Sequence, residues 1–142
     1  MTRKSTSGGV LRLGSHLIKS WSKDQHVIAT SSGEAELYAV NKVASESLGI
    51  QSILRDLGYK ADITIEIDAK ATLGMISRNG LGKMRHLDVA ELWLQEAVRN
   101  KRFRINKVPA ADNMSDILTK HVAKDLCERH CASLGLVFGF TS

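Results

Sequence analysis

Three acidic residues, Glu36, Asp68 and Asp116, carry the chemistry this sequence offers. Acids near helix starts usually complement the helix dipole, so each is weighed against that ordinary role. Ser31-Ser-Gly-Glu34 has the S-x-x-E form of a capping box, in which Ser31 caps the third helical amide and Glu34 reaches back. That explains Glu34, which falls on the polar side of its helix. Glu36 falls at the centre of the apolar side, in line with Val40, Val43, Ile50 and Leu54. A lone carboxylate there costs several kcal/mol, on the order of a buried polar group, unless it is paired or metal-bound. Its ordinary alternative is a Lys or Arg reaching in from a neighbouring strand.

Asp68 closes a strand and precedes a helix, the position at which open α/β sheets place reactive groups; the alternative is a plain N-cap. Asp116 follows Asn113 by three positions, a weakened capping box in the first turn of a closing helix. Together the three acids form a hard, oxygen-rich set suited to Mg²⁺ or Mn²⁺ and to two-metal phosphodiester hydrolysis. A soft-metal alternative is His121, Cys127, His130 and Cys131. These lie in or beside one terminal helix and lack the paired knuckles that bring zinc ligands around a tetrahedron.

The elements that must position these acids follow from periodicity. Gly8 to Leu13, a Gly14-Ser15 turn, and His16 to Trp21 continuing through Val27, Ile28 and Ala29 read as a hairpin. A long helix starts at the capping box and stops at Leu57-Gly58. It carries Ala39, Val40, Val43, Ile50, Leu54 and Leu57 on one side, with Asn41, Lys42, Ser45, Ser52 and Asp56 on the other. Ile63, Ile65 and Ile67 alternate with Thr64, Glu66 and Asp68 in a strand. A short helix over 69–77, a loop over 78–85, a second long helix over 87–100, a strand over 103–108 and a helix from 112 or 113 complete the order β-β-α-β-α-α-β-α. The class is α/β.

Composition bounds the rest. With 142 residues, 43% hydrophobic and 25% charged, the chain is one folded domain rather than a disordered segment. No run approaches the roughly 18 to 20 apolar residues of a spanning helix, and no apolar signal core follows Met1-Thr-Arg-Lys, so neither a membrane nor a secreted protein is expected. Cys127 and Cys131, close together, cannot staple distant parts of a fold, which points to a reducing intracellular compartment. The net charge of +5 and pI near 9.4 fit an acidic polymer as partner.

Arg3-Lys-Ser-Thr-Ser-Gly8, Ser20-Trp-Ser-Lys23, Ser31-Ser-Gly-Glu-Ala-Glu-Leu-Tyr38, Ile67-Asp68, Arg85-His-Leu-Asp88 and Asp116-Ile-Leu-Thr-Lys120 occur in one order. In that order they resemble the ribonuclease H domain that follows the reverse transcriptase in copia-type retrotransposon Pol polyproteins. The resemblance covers about residues 3 to 121, leaving 122–142 as a C-terminal extension. It implies a mixed five-stranded sheet with helices, cutting the RNA strand of RNA/DNA hybrids with two Mg²⁺ (or Mn²⁺) ions held about 4 Å apart. The reverse transcriptase domain would be a partner, and no small-molecule cofactor is implied. Carried over residue by residue, Glu36, Asp68 and Asp116 are the catalytic and metal-holding acids. Lys19, Lys23, His26 and Arg85 are candidates for gripping the hybrid. The family's usual Asp-Asn at the strand end is Asp68-Ala69 here. Its first strand, central in the sheet and bearing a fourth acid, has no counterpart in this sequence. The hairpin and the strand over 63–68 are therefore expected to present unpaired backbone to each other.

Overall fold

The computed structural model describes residues 4–26, 31–78 and 88–136. The chain begins with an antiparallel hairpin of β1 (Thr6–Leu13) and β2 (His16–Asp24), closed at Gly14, whose φ of +60° suits a residue without a Cβ. A register shift at Leu11/Arg12 bends β1. Gly9 is required for a different reason: it pairs with Trp21, whose ring crosses β1 so closely that a Cβ at position 9 would lie 2.1 Å from Cζ2. The expected continuation of β2 through Val27, Ile28 and Ala29 falls outside the described residues.

Helix α1 (Ser32–Asp56) starts where its cap predicts, with Ser31 Oγ accepting from the Glu34 amide at 3.2 Å, and ends before Gly58 at φ +88°. The parallel pair β3 (Thr64–Ile67) and β4 (Arg104–Lys107) sets Ile65 beside Ile105. Between these strands in sequence run α2 (Lys70–Ser77) and α3 (Asp88–Arg99). Leu37, Val40 and Ala44 of α1, Ile63, Ile65 and Ile67 beside them, Ile76, Leu94, Ala97 and Phe103 form the core. Each large side chain buried there contributes about 1.5–3 kcal/mol. Trp93 and Phe103 meet at tilted rings 6.3 Å apart at its border.

Two expectations are corrected. The closing helix near residue 112 is instead a pair of 3₁₀ turns, Ala110–Asp112 and Met114–Leu118, followed by α4 (Lys124–Ser133). Pro109 opens the first turn and Asn113 caps the second with its side chain, so the chain is punctuated twice before a helix can propagate. Glu34, expected on the polar side, is 4% exposed. The buried seam of α1 runs through Glu34, Leu37, Val40 and Ala44, while its Glu36, Ala39, Val43, Ile50 and Leu54 line a second surface. A helix packed on two sides buries a wider arc than one apolar stripe predicts.

The architecture is mixed α/β with small sheets, consistent with a ribonuclease H-like fold. Among the described residues the strands form two two-stranded sheets, β1-β2 and β3-β4, rather than the one five-stranded sheet expected. Among the described residues no helix is long and apolar enough to cross a membrane.

Candidate functional site

The two sheets are separated by a slot of about 730 Å³, walled by β1 and β3 and floored by α1. Glu36, Asp68 and Asp116 all line it. Glu36 arrives from the first turns of α1, Asp68 from the carboxyl end of β3, and Asp116 from the second 3₁₀ turn. That turn is held against the hairpin by contact as tight as the backbone allows. Ser22 Oγ donates to the Leu118 carbonyl at 2.6 Å, and a Cβ at Gly8 would lie 2.6 Å from Thr119 Cγ2.

Glu36 and Asp68 hydrogen-bond each other. Burial, reinforced by the Asp68 carboxylate, pushes Glu36 up to about 7, while the Thr72 hydroxyl and the Ala69 amide partly favour its ionised form. Burial works against ionised Asp68 as well, but hydrogen bonds from Glu36 and from Asn113 hold it below the usual carboxylate range. The N-cap of α2 is Ala69, which makes no side-chain cap bond, so Asp68 is not occupied as a plain N-cap. Among the described residues the hydrogen-bond partner of Glu36 that dominates its electrostatics is another acid, Asp68, rather than a Lys or Arg.

Asp116, 7% exposed, is instead paired with Lys120 at 2.8 Å, a bond that raises the lysine above its ordinary value. Asn113 caps the second 3₁₀ turn by accepting from the Ser115 amide at 3.2 Å, but its side-chain amide rather than its backbone N–H donates to Asp116 Oδ1, at 3.4 Å, and the backbone N–H bonds the Ala110 carbonyl, so the reciprocal half of the expected capping box is not formed. Among the described residues no three His, Cys, Asp or Glu side chains stand close enough together to hold a metal ion. The carboxylates thus form a proton-sharing pair with a third acid at its rim. Two acids forced to share a proton are an arrangement that a hard divalent cation would relieve, and the donor set, all carboxylate oxygen, fits Mg²⁺ or Mn²⁺.

Lys23 and His26 are exposed near the start of β1, at the carboxylate end of the slot, since Lys23 pairs with Ser7 in the hairpin. Lys19 sits farther along, bonded to Glu46 at 2.7 Å and lying 6.0 Å from the Trp21 ring centroid. Arg85 lies outside the described residues. Of the soft-metal set, Cys127 and Cys131 are free thiols in hydrogen-bond contact on consecutive turns of α4, and burial, with Cys127 beside it, raises Cys131.

Sequence reasoning missed Lys120, Asn113 and Thr72. The i,i+4 spacing of Asp116 and Lys120 was a readable signal for the first. Thr72 is fully buried with its hydroxyl beside Glu36, a placement that no pattern announced.

The chain as a whole is similar to known proteins. The chain is 27% identical over 129 residues to the retrovirus-related Pol polyprotein from transposon TNT 1-94 of Nicotiana tabacum, covering 89% of this chain and 10% of that protein. It is 27% identical over 135 residues to the corresponding polyprotein from transposon RE1 of Arabidopsis thaliana, covering 93% of this chain and 9% of the relative. RE2 of the same plant is 27% identical over 136 residues, covering 94% and 9%. The homologues are plant transposon Pol polyproteins. This chain spans about a tenth of their length. No family model matches the chain, and no solved structure matches it.

Proposed function

We propose that this chain is the ribonuclease H-type domain of a retrotransposon Pol polyprotein, acting on the RNA strand of RNA/DNA hybrids made by a reverse transcriptase domain of the same polyprotein. The observation that carries the reading is the Glu36–Asp68 carboxyl pair at the carboxyl end of β3, with Asp116 lining the same slot. In this reading Glu36, Asp68 and Asp116 hold Mg²⁺ or Mn²⁺. Such ions supply a water nucleophile and stabilise the attacking and leaving oxygens of an in-line displacement at phosphorus. Asn113 orients Asp68 and Asp116 together, and Ala69 steadies Glu36 through its amide. Lys23 and His26, at the same end of the hairpin, are placed to meet phosphates.

The Lys120–Asp116 ion pair favours a second reading: a hybrid-binding module of impaired catalysis, in which the lysine substitutes for the cation at the third acid. A labelled RNA/DNA hybrid incubated with the chain and Mg²⁺ or Mn²⁺ separates the two. Metal-dependent cleavage abolished by Asp68→Asn supports the nuclease. Binding that weakens with salt, without cleavage, supports the module. Neither binding nor cleavage overturns both.

A further inference from the structure

Helix α4 carries both cysteines of the chain, and neither lines the acidic slot. Cys127 and Cys131 are four residues apart, so their side chains leave successive turns about 40° apart around the helix axis. The two thiols are in hydrogen-bond contact. Cys131 is 5% exposed and Cys127 half-buried, so solvent reaches the pair from the Cys127 side. The backbone that holds them is fixed at both ends. The Cys127 amide donates to the Ala123 carbonyl at 2.9 Å, and the Cys131 carbonyl accepts from the Leu136 amide at 2.9 Å. Arg129, between them in sequence, ties the helix to the Ala111 carbonyl on the first 3₁₀ turn. His130, 2% exposed, is buried beside Cys131, and its Nε2 has no hydrogen-bond partner among the described residues. A buried polar atom without a partner marks a place where water or an ion completes the structure.

Two thiols so placed can be joined in two ways. A disulfide needs Cβ atoms about 3.5–4.5 Å apart, whereas residues four apart on a helix hold theirs about 5–6 Å apart, so the bond would require α4 to unwind. A bridging ion needs no such movement, because two metal–thiolate bonds of about 2.3 Å each span sulfurs that are already in contact. The number of ligands then selects the ion. Among the described residues no third His, Cys, Asp or Glu stands close enough to share it. Structural zinc takes four ligands, and hard divalent ions take oxygen. A soft monovalent ion such as Cu(I) favours thiolates and is satisfied by two of them in a line. We propose that Cys127 and Cys131 form a two-coordinate site for a soft monovalent cation of the Cu(I) class, bound as a bis-thiolate with release of both thiol protons. The inference uses no residue of the acidic site and holds whether or not the nuclease reading does.

The test uses the full chain, reduced and free of oxygen, with Cu(I) supplied as its coloured bicinchoninate complex and neither nucleic acid nor Mg²⁺ present. The expected result is withdrawal of one Cu(I) per chain, read as loss of the chelator's colour and as one added copper in native mass spectra, with the far-UV circular dichroism unchanged. Cys127→Ser and Cys131→Ala should each weaken capture by about a hundredfold or more, because the second thiolate binds as an intramolecular partner of the first. Should the buried Cys131→Ala variant not fold, the half-buried Cys127→Ser decides the point. Capture that survives Cys127→Ser, or one ion shared between two chains, would overturn the proposal. Zn²⁺ displacing Cu(I) at equal concentration would overturn the two-coordinate assignment. Diamide closing a disulfide between the two cysteines with helix content unchanged would overturn the choice of an ion over a bond. Because no hybrid, Mg²⁺ or cleavage enters the measurement, its failure is distinct from failure of the nuclease reading.

Discussion

The carboxyl groups of Glu36 and Asp68 are hydrogen-bonded to each other where the first turns of α1 meet the end of β3. Folding thereby sets two acids against each other and divides their roles. Glu36, raised from 4.5 to about 7, favours its protonated form in the folded chain. Its contribution to stability is complete below about pH 4.5 and is lost as pH rises through about 7. Asp68, held below 3.8, contributes above that value and loses its contribution only in stronger acid.

Glu36→Gln should therefore flatten the fall in stability between pH 5 and pH 8, because the amide keeps a hydrogen-bond donor without a charge to ionise. At pH 8 the variant should be more stable by about 1 kcal/mol, the shift being discounted for solvent reaching the slot. Urea unfolding at the two pH values checks this, and a variant that tracks the parent at both would contradict the pairing.

Adding Mg²⁺ should pull the Glu36 titration back toward the ordinary carboxylate range, since a cation favours the ionised form. Carbon-detected NMR of the Glu side chains reads the shift directly. Asp68→Asn should remove the metal response while leaving the fold intact. A Glu36 titration unmoved by millimolar Mg²⁺ would show that the pair does not take the ion.

Gly9→Ala should cost about 1–3 kcal/mol, because its Cβ has nowhere to go but into the Trp21 ring. Gly14→Ala, with nothing within 4 Å but a φ of +60°, should cost about 1 kcal/mol through backbone strain alone. Thermal melts of the two variants separate collision from conformation; equal losses would argue against the Trp21 contact.

Leu94, fully buried where α3 packs on α1 and α2, should lose about 2–5 kcal/mol on truncation to Ala, whereas Leu57→Ala, at 67% exposure, should stay within about 0.5 kcal/mol. Denaturant midpoints give the comparison. A small effect at Leu94 would mean that the core is looser than its contacts indicate.

The sequence by itself determined the local elements, because their signals are local. Ser31 and Gly58 bound α1, the Ile63–Ile67 alternation makes β3, and Gly14 turns the hairpin. It also singled out Glu36, since an acid on an apolar helix face is visible without knowing what covers that face. Tertiary structure alone decided which surface each side of α1 meets, burying Glu34 against expectation and opening Ala39 and Val43 to the slot. It decided that the partner of Glu36 is Asp68 rather than a cation from a strand, and that Lys120 claims Asp116. These outcomes depend on how distant segments approach in space, through packing of residues such as Gly8 against Thr119, and periodicity along one chain carries no record of that distance.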